Sequence, residues 1–211
     1  QRIVTALAQH YHNHPGVIGW QIDNELGDPL CYDSYCRAAF QRWCRAKFKT
    51  LNALNKAWGT IFWGHTFLAW PEIPLPWNTL GKTHNPSLAL DHRRFNSAAM
   101  RDYLKLQVDI LRKIAPKQAI THNDMGMYSG VDYYQLNEPI DFVAWDNYPM
   151  FGEDYANYFG PGLAHDLMRG SKKNQNFMVM EQQGGLPGWS IFWGRQAAPG
   201  LYRAWAYQGV A

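Results

Sequence analysis

Two glutamates stand where a short apolar run gives way to polar residues. Val17-Ile18-Gly19-Trp20-Gln21-Ile22 leads into Asp23-Asn24-Glu25, and Phe177-Met178-Val179-Met180 leads into Glu181-Gln182-Gln183. Runs of this length are strands, so each carboxyl group sits at the C-terminal end of one. Two carboxyl groups on either side of a sugar can break a glycosidic bond. One protonates the leaving oxygen, and the other attacks the anomeric carbon or activates a water. An amide beside the acid, as Asn24 stands beside Glu25, can bind a sugar hydroxyl. Strand-end acids also cap the helix that follows, and spacing alone leaves both readings open.

The elements that must position these groups alternate along the chain. Helical patterns cover residues 2–12, 34–48, 51–58 and 93–114. In the last of these, Phe95, Ala99, Tyr103, Leu106, Ile110 and Ile114 form an apolar stripe at helical spacing. Weaker helices are expected over 131–137 and 160–170, and Pro199 opens a final one carrying Leu201, Ala204 and Trp205. Further strands fall at Ala119-Ile120-Thr121, running into His122-Asn123-Asp124, and at Phe142-Val143-Ala144-Trp145, running into Asp146-Asn147-Tyr148. Residues 59–91 hold Trp63, Trp70, Trp77 and several prolines and read as one long irregular, functional stretch.

Four strands, each followed by a polar cluster and a helix, make an α/β fold. The layout is that of a (β/α)8 barrel, where chemistry gathers at the C-terminal strand ends. An open doubly wound sheet shares the alternation, but no glycine-rich phosphate loop follows any strand. Four units do not close an eight-stranded barrel, so residues 1–211 read as part of one catalytic domain with the barrel incomplete.

Composition narrows the partners. With 20 basic and 17 acidic residues interspersed, nothing calls for nucleic acid or an anionic membrane, and no apolar run is long enough to span one. Ten Trp and twelve Tyr are an excess. Any single Trp is best read as core, but the excess suits a ligand with the flat apolar faces of a sugar. The three cysteines, Cys31, Cys36 and Cys44, form no disulfide framework and read as thiols of a reducing, cytoplasmic compartment.

The chain resembles the family 42 β-galactosidases, retaining glycosidases built on a (β/α)8 barrel. The segments that carry the resemblance are HPGVIGWQIDNELGD, LNALNKAWGTIFW, LDHRRFNSAAMRDYLKLQVDILRK, ITHNDMG, DFVAWDNYP and FMVMEQQGGLPGW, in the family's order. The resemblance implies Glu25 as acid/base at the fourth barrel strand and Glu181 as nucleophile at the seventh. It implies that Asn24 binds the sugar 2-hydroxyl and that Tyr148 touches the nucleophile. Trp189 would pack on the galactose ring, and Trp63 would wall the site from a neighbouring subunit of a trimer. His122 and Asn123 either line the pocket or are buried hydrogen-bonding groups behind it. The implied partner is a terminal β-galactoside, with no cofactor. A related glycosidase acting on β-glucosides or α-arabinosides, or a catalytically incomplete carbohydrate-binding remnant, would share the strand-end pattern. Some family members hold a structural zinc in the stretch after the acid/base. Here Asp33 stands at one cysteine position and no fourth ligand is in view, so no zinc is expected.

Overall fold

The computed structural model describes residues 1–27, 30–77, 84–149, 159–173, 176–185 and 197–210. The chain divides into two compact units, Gln1–Leu26 with Arg101–Ala211, and Gly27–Met100.

The first unit holds the strands. After helix α1 (Arg2–Tyr11) come β1 (Gly19–Gln21), β2 (Ala119–Thr121), β3 (Asn123–Asp124), helix α5 (Tyr133–Leu136), β4 (Val143–Asn147), helix α6 (Gly160–Ser171), β5 (Phe177–Gln182) and helix α7 (Leu201–Val210). β1 pairs with β2, and β3–β4–β5 form a three-stranded ladder, every pairing parallel. This bears out the expected parallel order and the partial (β/α)8 barrel. Parallel neighbours need a crossover, and helices supply it.

Partly exposed polar groups tie the unit together. Arg112 donates to the Asp141 carboxylate and to the Gln118 carbonyl, while Asp141 accepts from the Ile120 N–H at 2.7 Å. The strand at 119–121 reaches further than its apolar residues suggested, because Asn123 and Asp124 are buried and pair with Ala144 and Trp145. Between β4 and β5 the register slips by one residue, so that Trp145 faces Val179 but Asp146 faces Glu181.

The second unit is helical. It comprises α2 (Ser34–Phe48), α3 (Leu51–Trp58), two single turns at Phe62–Gly64 and Trp70–Glu72, and the start of α4 (Pro86–Ile114). Phe40, Cys44, Leu54, Trp58, Ile73, Leu75 and Leu88 form its core, with Trp43 and Trp70 packed against it. Most tryptophans of this unit are therefore core, as the single-residue reading expects. Asp33 caps α2 by accepting from the Cys36 N–H at 2.7 Å, and Thr50 caps α3.

Three sequence expectations are corrected. The helix expected from residue 93 begins at Pro86, because the Asn85 carboxamide accepts from the Ser87 and Leu88 N–H groups and Pro86 fills the first helical position. The buried face of α4 runs through Leu88, His92, Asn96, Leu104, Val108 and Leu111, beside the expected stripe, whose Tyr103 and Leu106 are exposed. Periodicity missed that face because two of its members are polar. Finally, Cys31 and Cys36 are joined as a disulfide, their Cα atoms 6.0 Å apart across the turn that leads into the Asp33 cap. They are not thiols, and the reducing compartment expected from them loses that support. Cys44 is a free thiol that burial pushes up to about 12.

The zinc-type stretch can be tested against its residues. Cys31, Asp33 and Cys36 bring ligand atoms within 4.8 Å of one another. Yet the two sulfurs are bonded to each other and the Asp33 carboxylate is committed to the helix cap. A set of three with no free thiolate does not fit a four-ligand structural zinc.

Candidate active site

The tip of β1 is bent sharply. Asp23 and Glu25 both take left-handed backbone angles, φ 54° and 44°, which non-glycine residues adopt only where their surroundings enforce it. Two buried side chains from the neighbouring strand do the enforcing. His122, fully buried, receives the Leu26 N–H on Nε2 at 3.1 Å and meets the Ile22 carbonyl through Nδ1 at 2.6 Å. A carbonyl can only accept, so the proton lies on Nδ1 and the ring is neutral. Burial also holds its pKa below the usual histidine value. One imidazole thus fastens both ends of the Asp23-Asn24-Glu25 turn.

Asn123 grips the middle. Its Oδ1 accepts from Gln21 Nε2 at 2.9 Å and from the Glu25 N–H at 3.2 Å. Its Nδ2 donates to Asn24 Oδ1 at 2.9 Å and to Asp146 Oδ2 at 2.6 Å. All four positions of the amide are used, and its orientation is fixed by the Glu25 N–H, which can only donate. The Tyr103 hydroxyl steadies the outer side by donating to Asp23 at 2.7 Å.

Glu25 and Glu181 line one cavity of about 670 Å³. Its walls include Met125, Tyr128, Trp145, Asp146 and Tyr148. Tyr148 donates its hydroxyl to Glu181 Oε2 at 2.8 Å, and that bond, ahead of partial burial, raises the phenol to about 12. Gly126 lets the loop after β3 lie on the Trp145 ring. Its φ is +62°, and a Cβ there would come within 2.8 Å of the ring.

Two further carboxyl groups stand close by. Asp146 is raised to about 7, by burial first and then by the charges of Glu181 and Glu25, against the opposing bond from Asn123. Asp124 is raised to about 8, by burial first and by Asp146, although Asn137 donates to it at 2.7 Å.

The structure thus brings together Glu25, Glu181 and Tyr148 on the cavity wall. It places Asn24 beside Glu25, Nδ2 to Oε2 at 3.4 Å. His122 and Asn123 are buried as supports of the turn and are not among the cavity's lining residues. Trp63 belongs to the other unit, where it is 80% exposed, stacks on Phe62, and lines a second cavity with His65 and His84. Trp189 lies outside the described residues. Sequence reasoning passed over Asp146, although it ends an apolar run in the same manner as the two glutamates.

Parallel strands that carry carboxyl groups to one end, around a cavity, define the class: a barrel-type α/β protein with a carboxylate-lined pocket. The chain belongs to glycoside hydrolase family 42, whose model, described as "Beta-galactosidase", matches residues 1–211. It is 40% identical to a β-galactosidase of Thermus thermophilus, covering 100% of this chain and 35% of that protein. It is 39% identical to the β-galactosidase BgaP of Planococcus sp. strain L4, covering 100% of this chain and 31% of that one. Among solved structures, the cold-adapted β-galactosidase of Rahnella sp. R3 superposes with a TM-score of 0.90 at 32% identity, covering 99% of this chain and 31% of that one. The chain therefore spans about a third of the length of the relatives it matches.

Proposed function

We propose that the protein of which this chain is a part hydrolyses terminal β-galactosides with retention of configuration. Glu181 is the nucleophile and Glu25 the general acid and base. The observation that carries this reading is the meeting of the two strand-end glutamates in one cavity, with the Tyr148 hydroxyl on Glu181. The relatives named as β-galactosidases supply the sugar.

The chemistry has two displacements. Glu181 attacks the anomeric carbon while Glu25 gives its proton to the departing glycosidic oxygen. Glu25, now a carboxylate, then takes a proton from water, whose oxygen displaces Glu181 from the same carbon. Asn24, beside Glu25, binds the 2-hydroxyl, and Trp189 supplies the flat apolar face for the ring. Two inversions return the original configuration, which requires carboxyl groups about 5–5.5 Å apart. In the full-length protein the exposed indole of Trp63 is offered to a neighbouring subunit of a homotrimer.

Azide tests the two roles in the full-length protein with a chromogenic galactoside. Glu181→Ala should lose nearly all activity and regain it with azide, giving the galactosyl azide of inverted configuration. Glu25→Ala should keep activity on substrates with good leaving groups and give the azide of retained configuration. Exchanged products would exchange the roles. Faster hydrolysis of the matching β-glucoside or α-arabinoside would change the sugar, and light scattering that gave a monomer would remove the trimer.

A further inference from the structure

The two glutamates are not the only acids on the cavity wall: Asp146 lies between them. It stands on β4, paired in register with Glu181 on β5, and is buried, with 6% of the residue exposed. Oδ2 accepts from Asn123, while Oδ1 is buried and finds no donor. The groups that face it from the elements around it are acids or neutral: Glu181 on β5, Glu25 beyond β1, Asp124 and Asn123 on β3, and Tyr148 at the end of its own strand. The nearest ring from α6, His165, is taken up against Trp145, with centroids 5.1 Å apart. No cation from the described residues reaches Asp146. A buried carboxylate oxygen without a donor is costly, and a second carboxylate facing it makes the cost larger. Both costs vanish if Oδ1 carries a proton, because it then becomes the donor.

We propose that Asp146 is a positioning residue that works as a neutral acid, holding its proton on Oδ1 and donating it in a hydrogen bond to the carboxyl group of Glu25. Burial first, and then the charges of Glu181 and Glu25, hold Asp146 above its ordinary value, and a proton on Asp146 would let it share a hydrogen bond with Glu25. This role rests on the reading of Glu25 as acid and base, and it adds a partner to it. Asn123 holds the Glu25 backbone and the Asp146 carboxyl with one amide, so the two acids are located by a common support. The bond from Asp146 is strongest when Glu25 has given up its proton. It therefore favours the glycosyl–enzyme stage, in which Glu25 must wait as a carboxylate for water. No proton is lost from the pair in a turnover: Glu25 passes one to the leaving group and recovers one from water, and Asp146 keeps its own.

Two variants of the full-length protein and one spectroscopic titration test this. Asp146→Asn keeps a donor at that place and removes the titration, whereas Asp146→Leu keeps the volume and removes the donor. With a chromogenic galactoside, the Asn variant should stay within about tenfold of wild type in kcat. The Leu variant should fall by about tenfold to hundredfold in kcat, with a smaller change in KM, the loss expected for a hydrogen bond to a charged group. On the alkaline side, kcat of the wild type should fall through two ionisations and that of the Asn variant through one. Infrared difference titration of the wild type should show carboxylic-acid absorption fading between about pH 7 and 8, of which the Asp146→Asn variant loses one component and keeps that of Asp124.

A band that instead disappears with the ordinary carboxylates would overturn the proposal, as would full activity in the Leu variant. Should that variant fail to fold, the band and the Asn variant still decide. The infrared result is obtained on the wild type whatever sugar it cleaves, so failure of this role and failure of the galactoside reading are separate outcomes.

Discussion

Among the described residues, both units bury aspartates, one in the helical unit and two in the strand unit, and they treat them in opposite ways. In the helical unit, Asp91 is 3% exposed and receives three donors: Lys47, the Trp58 indole N–H at 2.9 Å, and Arg94 at 3.0 Å. Burial alone would raise its pKa, but those bonds outweigh it and hold the carboxyl below its ordinary value. In the strand unit, Asp124 and Asp146 are buried to a similar degree, each with one amide donor and one oxygen left over. Burial holds both carboxyl groups above their ordinary value. The residue type and the burial are the same; what differs is the number and charge of the donors and the acids that stand nearby. A carboxylate saturated with donors is a fixed strut, while one left short of them keeps a proton available. The shortage is found in the unit that holds the cavity, and the saturation in the other unit.

The largest expected effect lies on the saturated side. Asp91→Ala should lower the unfolding free energy by about 3 kcal/mol, at the low end for a buried charge cluster because Lys47 and Arg94 are partly exposed. Chemical denaturation at neutral pH checks it. Because the folded carboxyl titrates low, its contribution is present above the unfolded value of about 3.8 and is lost as the pH falls through the folded one. Wild type and variant should therefore converge in acid.

Asn123→Ala should come next, at about 2 kcal/mol, since four hydrogen bonds go with one side chain and two of their partners are partly solvated. Activity should fall much further than stability, because the turn carrying Glu25 loses its central clamp. Equal losses would mean that Asn123 is merely structural.

On the donor-poor side the sign reverses. The folded pKa of Asp124 is raised, so the stability it permits is full at low pH and is lost as the pH rises through about 8. Asp124→Asn should leave the melting temperature unchanged at about pH 4, with its advantage growing to a few degrees as the pH rises to about 8 and levelling off beyond. A variant that is less stable at every pH would show that the Asp124 proton carries no strain. The smallest effect on stability is expected for Tyr148→Phe, within about 0.5 kcal/mol, since its hydroxyl bond to Glu181 is only partly buried. Its kcat should nonetheless drop about tenfold or more as Glu181 loses its fixed orientation.

The strands and their polarity were legible because apolar runs of strand length broke at the same kind of polar cluster, and the two glutamates were legible with them. What hid from the sequence was polar and buried. Asn123 and Asp124 extend a strand, and His92 and Asn96 belong to a helix core, but periodicity counts only apolar residues. Pro86 begins a helix because Asn85 caps it, and proline by itself reads as a breaker. Asp146 looked like one more strand-end acid. Its difference from Asp91 lies largely in donors such as Lys47 and Trp58, which are far away in the chain, and no local pattern records them.

The slip between β4 and β5 has a consequence for anyone comparing such chains letter by letter. Side chains alternate along a strand, so the parity of a residue's distance from the strand start tells which side it faces. One extra residue ahead of Glu181 resets that parity in β5 relative to β4. Without the slip, Glu181 would pair with Asn147, and Asp146 would pair with Met180. A single-codon deletion at Met180 would not merely shorten the strand by one residue. It would shift the frame in which the strand is read, and whether the acid still met its partner would depend on which neighbour gave way to restore the count.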